Sequence, residues 1–345
     1  MKPKPLTILV AAVAAGGLGV AGATVALSRP AFDEAAAPLP LALPPAEVGA
    51  AIARTEGRTL VLTAVLTAAG ETSVEGVEVD GEPLAVAAMG VDRLLALAAE
   101  GDPVTVPLSA LESPVPTDLG AHVAAGTNYA DHADEVALEA PFLFPKLSRP
   151  TAWSAPVPAS GRLDYEVELC AVALDDLSGW RADAVGFVLC GDFTDRWALL
   201  SNLDLSGTMG ETGFAEGKGG PGRLPVGPWL VVPRDAGAFH AQVELRLSVD
   251  GRLRQRSSAA EMTWSPEAIV ARALDACGGD FRERGEPAPW PACDHIPAGT
   301  LLLTGTPAGV IFRPFNVWAG WLYLQPEQTV VGEGTWLGRT VSQVQ

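Results

Sequence analysis

The chain has 345 residues, 48% of them hydrophobic, enough for one large or two modest domains with their own cores. Acidic residues outnumber basic ones 41 to 23, giving a formal charge of −18. That balance excludes nucleic acid and anionic membrane surfaces as general partners, and it obliges any anionic substrate to find a local basic pocket.

Taken in order, residues 1–28 read as an export segment. Lys2 and Lys4 form a positive start, 6–27 is an uncharged run rich in Ala, Gly and Val, and Ala21-Gly22-Ala23 offers a small-x-small cleavage site. The run is also long enough to span a bilayer, so an uncleaved membrane anchor is the competing expectation. Residues 29–48, rich in Pro and Ala, suit a linker. Residues 49–115 suggest a small α+β domain: 59–63 is strand-like, Asp80-Gly81 signals a hairpin between 77–79 and 83–86, and 91–99 suits a helix. Ser113-Pro114-Val115-Pro116 marks a boundary. From there to residue 345 the pattern is mostly strands, with a helix expected over 266–276 behind the Ser265 N-cap and Pro266. Cys277 and Cys293 flank a Gly-, Pro- and charge-rich stretch and are expected to close it as a disulfide in an exported protein. Cys170 and Cys190 sit inside apolar runs and are expected to be buried.

The chemistry centres on Asp164-Tyr165-Glu166-Val167-Glu168-Leu169. Strand period two puts Glu166 and Glu168 on one face and Tyr165, Val167 and Leu169 on the other. Two like charges so placed call for a cation or a proton between them, and a hard divalent ion would serve. A solvated acidic edge strand would explain the stretch equally well. Asp192, at the end of the apolar run 185–189, could add a third carboxylate if its strand lies beside the first. Arg196 follows it, with the geometry to bind a carboxylate bidentately. In Asn128-Tyr129-Ala130-Asp131-His132-Ala133-Asp134-Glu135 a helical turn would place His132 and Glu135 on one face, and a carboxylate beside an imidazole orients a general base. Taken alone, an acidic surface helix with an incidental histidine fits that stretch more simply. Gly217-Lys218-Gly219-Gly220-Pro221-Gly222 fails as a phosphate loop but can carry Lys218 to an oxyanion. Thr304-Gly305-Thr306-Pro307-Ala308-Gly309 is a strand entering a tight turn that could present the Thr306 hydroxyl and backbone N–H groups to an anion.

None of these motifs is specific singly, but their order and spacing resemble the fumarylacetoacetate hydrolase family from about residue 120 to the end, less the 277–293 insertion. The matching stretches are Gly126 to Glu135, Phe144-Pro145-Lys146, Asp164 to Leu169, Gly191 to Arg196, Gly217-Lys218-Gly219, Pro225 to Trp229, Val249 to Gln255 and Thr304 to Val310. The resemblance implies an α+β, β-rich mixed-sheet roll, usually homodimeric. It implies Mg²⁺, Mn²⁺ or Ca²⁺ on Glu166, Glu168 and Asp192, a His132–Glu135 pair with Lys218 in catalysis, and substrate contacts from Arg196, Thr306, Tyr129 and Lys146. The expected reaction is metal-dependent hydrolysis of a C–C bond in a diketo acid. Decarboxylation, tautomerisation, hydration or dehydration of a 2-oxo acid on the same site is the alternative within the family. A non-catalytic exported binder of a metal or small acid is the alternative outside it. Two departures fall where substrate is gripped: Leu199 stands where the family commonly has Gln, and Pro221 interrupts the segment after Lys218. The tail over 312–324, with Trp318 and Trp321, is a candidate pocket lining.

Overall fold

The computed structural model describes residues 17–345. The expected export segment therefore lies in large part outside the described residues. Residues 17–27 are helical, and among the described residues no helix is long and apolar enough to cross a membrane.

An eleven-stranded mixed sheet dominates, making this a β-rich α+β protein. At its centre Val167–Ala173 pairs antiparallel with Val185–Gly191 on one side and with Leu301–Leu303 on the other. Leu301–Leu303 then runs parallel to His122–Gly126, which carries Phe142–Lys146 as the edge. Every residue of Val167–Ala173 and Val185–Gly191 is buried, so these strands read as continuous apolar runs. Alternation still sorts them. Val167, Leu169, Ala171 and Ala173 join the core on one face, while Cys170 and Val172 join a second core on the other. Glu168 shares the second face with Cys170. That face also carries Phe144, Leu199 and Phe214, and it is where the cavity opens.

Strands from the 49–115 stretch extend the same sheet, because Gly49–Thr55 pairs with Trp229–Pro233. Glu56-Gly57 and Ala69-Gly70 make two-residue turns with both residues at positive φ, the geometry that matches strand twist. The hairpin expected at Asp80-Gly81 does not form. Both edges of Glu71–Val79 are taken, by Arg58–Ala68 and by Pro103–Pro107, so the following segment has nothing to pair with. It becomes the short helix Pro83–Ala87, with Pro83 pre-setting φ at its first turn. The helices Val91–Glu100 and Pro266–Asp275 lie within a residue of expectation, and the Ser265 hydroxyl caps the second by accepting from the Ala268 amide. A four-stranded sheet, in the order Arg252–Ser258, Glu244–Val249, Thr329–Gly334 and Gly338–Gln343, packs over the first core. Part of the 29–48 stretch docks on it: Arg252 and Arg254 both hold the Asp33 carboxylate.

Cys277 and Cys293 are disulfide-bonded. Cys170 and Cys190 are also bonded, across the two central strands, a pairing that burial alone did not announce. Opening the 277–293 loop with Cys277→Ser and Cys293→Ser together is expected to cost on the order of 3 kcal/mol in urea unfolding at constant m-value; no change would mean the loop is held by packing alone.

His122 is wholly buried, and its Nδ1 accepts from the Leu301 amide, which leaves the proton on Nε2. Burial, with Lys146 adding repulsion, pulls its pKa from 6.5 down to about 4. The unfolded imidazole takes its proton below pH 6.5 and the folded one only near 4, so stability is complete above 6.5 and falls as pH drops toward 4. Between pH 7 and pH 5 this group should remove about 2 kcal/mol of unfolding free energy. His122→Gln, whose amide oxygen can still accept from Leu301, should flatten that part of the profile; an unchanged slope would show that the carboxylates alone set it.

Candidate active site

The central strands bring three carboxylates together. Cys190 lies opposite Glu168, so Asp192, two residues beyond Cys190, ends beside Glu166 and Glu168. One oxygen from each of the three lies within 4.8 Å of the other two, and all three residues are buried. The Asp192 amide donates to the Glu166 carbonyl, locking the two strand ends together.

Cations thread this cluster. The Lys218 ammonium donates to Glu166 Oε2 at 2.6 Å and to Asp192 Oδ2 at 2.7 Å. Lys146 Nζ donates to Asp192 Oδ1 at 2.6 Å and also to the carbonyls of Lys218 and Arg223. Arg196 donates through Nη2 to Glu166 Oε1 at 2.5 Å and through Nε to Asp164 Oδ2 at 2.9 Å. Desolvation pulls the Lys218 pKa down, yet Asp192 and Glu166 outweigh it and hold the ammonium above its usual range. Desolvation brings Lys146 down to about 8 despite Asp192. Asp192 is pushed up by burial but held low overall by Lys146 and Lys218.

Glu168 is the exception. It is 2% exposed, and among the described residues its carboxylate accepts only from the Gly305 amide, at 2.7 Å. Burial, then Asp192 and Glu166, push its pKa well above the usual carboxylate range. A buried carboxylate without a cation of its own, beside two more hard oxygen donors, suits a divalent ion. The acidic triad could therefore bind a metal.

The imidazole lies at the same cavity. The helix Ala130–Val136 puts His132 and Glu135 one turn apart, with Nδ1 3.2 Å from Glu135 Oε2 and both side chains nearly buried. Glu135 is itself held, by Arg313 at 2.5 Å and by the Gly309 amide at 3.1 Å. Gly309 has φ +115°, and a Cβ there would strike the Arg254 carbonyl, so only glycine can deliver this N–H.

A cavity of about 250 Å³ collects these groups. Glu166, Glu168, Lys218, Arg196, His132 and Thr306 line it, with Asp192 and Lys146 buried behind. Leu199 and Phe312 also line it, whereas Trp318 and Trp321 are half exposed and lie outside it. Tyr129 is buried and is not among the residues lining this cavity, but its phenol lies near enough to Glu168 for that carboxylate, after burial, to push its pKa up. The Thr306 hydroxyl donates to the Val167 carbonyl and accepts from Gln255, which ties the 304–309 turn to the central strand. Its proton is thereby committed to the protein.

Three residues escaped the sequence reading. Asp164 accepts from the amides of Tyr165, Ile311 and Phe312 as well as from Arg196. Arg313 holds Glu135, and Gln255 accepts from the Val167 amide while donating to Thr306 and Pro307. Asp164 stood beside the acidic pair and could have been found, and Gln255 ends a stretch that matches the family pattern; Arg313 carries no local signal.

The family model described as fumarylacetoacetate (FAA) hydrolase C-terminal matches residues 121–345. A 2,4-didehydro-3-deoxy-L-rhamnonate hydrolase from a Sphingomonas species is 28% identical over 206 residues, covering 56% of this chain and 62% of that protein. A probable 2-hydroxyhepta-2,4-diene-1,7-dioate isomerase from Mycobacterium abscessus superposes with a TM-score of 0.59 at 23% identity, covering 86% of this chain and 98% of that one. A 5-carboxymethyl-2-hydroxymuconate delta-isomerase from Mycobacterium smegmatis gives 0.53 at 20% identity, covering 86% and 98%. At these identities the two structures establish the fold.

Replacing Glu168 by its neutral isostere should act in opposite directions with and without an ion. Glu168→Gln keeps the shape and is expected to raise the Tm of metal-free protein. Mn²⁺ at about 100 times its Kd should stabilise the unsubstituted protein by about 2.7 kcal/mol and Glu168→Gln by much less. Equal stabilisation of both by Mn²⁺ would place the ion elsewhere.

Proposed function

The chain belongs to the fumarylacetoacetate hydrolase family, and on that premise we propose that it is a divalent-metal-dependent hydrolase cleaving a C–C bond in a diketo acid. One observation carries this reading: Glu166 and Glu168 of the acidic triad and the His132 ring that Glu135 orients line a single cavity. Bound to Glu166, Glu168 and Asp192, Mg²⁺, Mn²⁺ or Ca²⁺ would act as a Lewis acid on a carbonyl oxygen of the substrate.

The side chains supply the rest. Glu135 accepts the Nδ1 proton of His132, which leaves Nε2 as the base that takes a proton from water. Because Glu135 is clamped by Arg313 and Gly309, the ring orientation is set before substrate arrives. The water oxygen bonds to the acyl carbonyl carbon. The adjacent C–C bond breaks, and its electron pair leaves as the enolate of a 2-oxo acid. A proton returns to that carbon, so the products are a carboxylic acid and a 2-oxo acid, with one water consumed. The Lys218 ammonium on the cavity wall stabilises the negative charge as it develops. Arg196 spends Nε and Nη2 on Asp164 and Glu166, so it positions Glu166 and backs the site.

The proposal extends to an exported homodimer. Two disulfides suit an oxidising compartment. Intact mass of protein from its native host, lacking residues 1–23, would support cleavage, and native mass spectrometry would report the assembly.

Pyruvate release from an acylpyruvate in the presence of Mn²⁺ is the direct test. His132→Ala should lower kcat by about 10²–10⁴-fold without loss of the folded state, and Glu135→Gln should lower it less. Undiminished turnover in folded His132→Ala would remove the imidazole from the mechanism.

A further inference from the structure

We propose that the acyl part of the substrate is an apolar alkyl or aryl group, not a second carboxylate. This rests on the reaction assigned above and concerns the part of the cavity that the reaction does not use. Beyond the polar cluster the wall is made of hydrocarbon and thioether side chains, among them Leu138, Phe142, Leu199, Leu203, Met209 and Phe214. Phe142 and Phe214 meet edge to face at 4.9 Å, closing one side with carbon and ring hydrogens.

Every charged side chain on the wall belongs to the cluster already described. Its two permanent cations are held at the acidic end, where the reaction takes place: Arg196 on Asp164 and Glu166, and Lys218 on Glu166 and Asp192. The two hydroxyls on the wall donate away from it, Thr127 to the Ala140 carbonyl and Thr306 to the Val167 carbonyl. A distal carboxylate lying on the apolar wall would therefore be stripped of water against hydrocarbon, away from the cations at the acidic end and with no wall hydroxyl free to meet it, and the acidic cluster would repel it. An alkyl chain or ring meets no such penalty and gains from each carbon it buries. Pockets of this composition bind apolar groups and use their few polar groups to set orientation.

The test is a substrate series on the full chain with Mn²⁺, comparing kcat/KM for acetylpyruvate, hexanoylpyruvate, benzoylpyruvate and fumarylpyruvate. Each buried methylene should raise kcat/KM by about threefold to fourfold, so hexanoylpyruvate should exceed acetylpyruvate by on the order of a hundredfold. Fumarylpyruvate should fall below hexanoylpyruvate by about tenfold or more. Leu203→Arg, which adds a cation to the apolar wall, should move the fumarylpyruvate-to-hexanoylpyruvate ratio toward fumarylpyruvate, chiefly through KM. Fumarylpyruvate as the better substrate of the unsubstituted protein, or an unmoved ratio in folded Leu203→Arg, overturns the proposal. A second readout separates this inference from the reaction. Calorimetric binding of 2-oxooctanoate and 2-oxoglutarate is measured with and without Mn²⁺. If no acylpyruvate is cleaved but 2-oxooctanoate binds more tightly, C–C hydrolysis falls and the apolar tail stands. If 2-oxoglutarate binds as tightly or more so, the apolar tail falls whatever the turnover.

Discussion

Carboxylates brought together in a protein interior repel one another and lose their hydration, and in this molecule four of them converge: Asp164, Glu166, Glu168 and Asp192. Three cations, Lys146, Lys218 and Arg196, answer them through short hydrogen bonds. Such a network does not by itself make the fold more stable than hydrocarbon would, because desolvation consumes most of the Coulombic gain. Its consequence is order. Each charge is tolerable only while its partners hold position, so strand ends, the Lys218 helix and the 311–312 backbone are fixed relative to one another. The cluster is one cation short, at Glu168, whose raised pKa reflects that lack, and the shortfall is the electrostatic reason a divalent ion suits the cluster.

The sheet makes this convergence possible. Side-chain alternation sends Val167 and Leu169 into one core and leaves Glu168 and Cys170 on the opposite face. The Cys170–Cys190 bond ties the strand carrying Glu168 to the strand leading to Asp192, two residues from each carboxylate. The 304–309 turn then closes the site from the far side. Its Gly305 amide reaches Glu168, its Gly309 amide reaches Glu135, and Tyr165 donates to the Gly309 carbonyl. One turn thus holds both Glu168 of the acidic triad and the carboxylate that orients the imidazole.

Around this polar end the cavity is hydrocarbon. The low dielectric of the wall strengthens each interaction at the reacting end and weakens the case for any charged group elsewhere on the substrate. Thr127, β-branched yet at φ 50°, lies on the same wall with its hydroxyl pinned to Ala140, a strained backbone of the kind that clusters at functional sites.

Much of this was readable along the chain. Strand alternation put Glu168 on the site face, although Glu166 lies just before that strand begins at Val167; helical spacing allowed His132 to meet Glu135, and a loop-rich composition joined Cys277 to Cys293, because each of these relations is local. The order of the motifs was enough to indicate the family. What the sequence could not carry were relations between distant segments: Arg313 on Glu135, Asp164 shared by Arg196 and the 311–312 amides, and Cys170 bonded to Cys190. The false hairpin at Asp80-Gly81 has the same origin, since a turn signal cannot tell whether a strand edge is free. Residue chemistry and local spacing settled which groups are available; only the packing of strands brought together by chain closure decided which charges meet, which hydroxyls are already spent, and that the space left over is apolar.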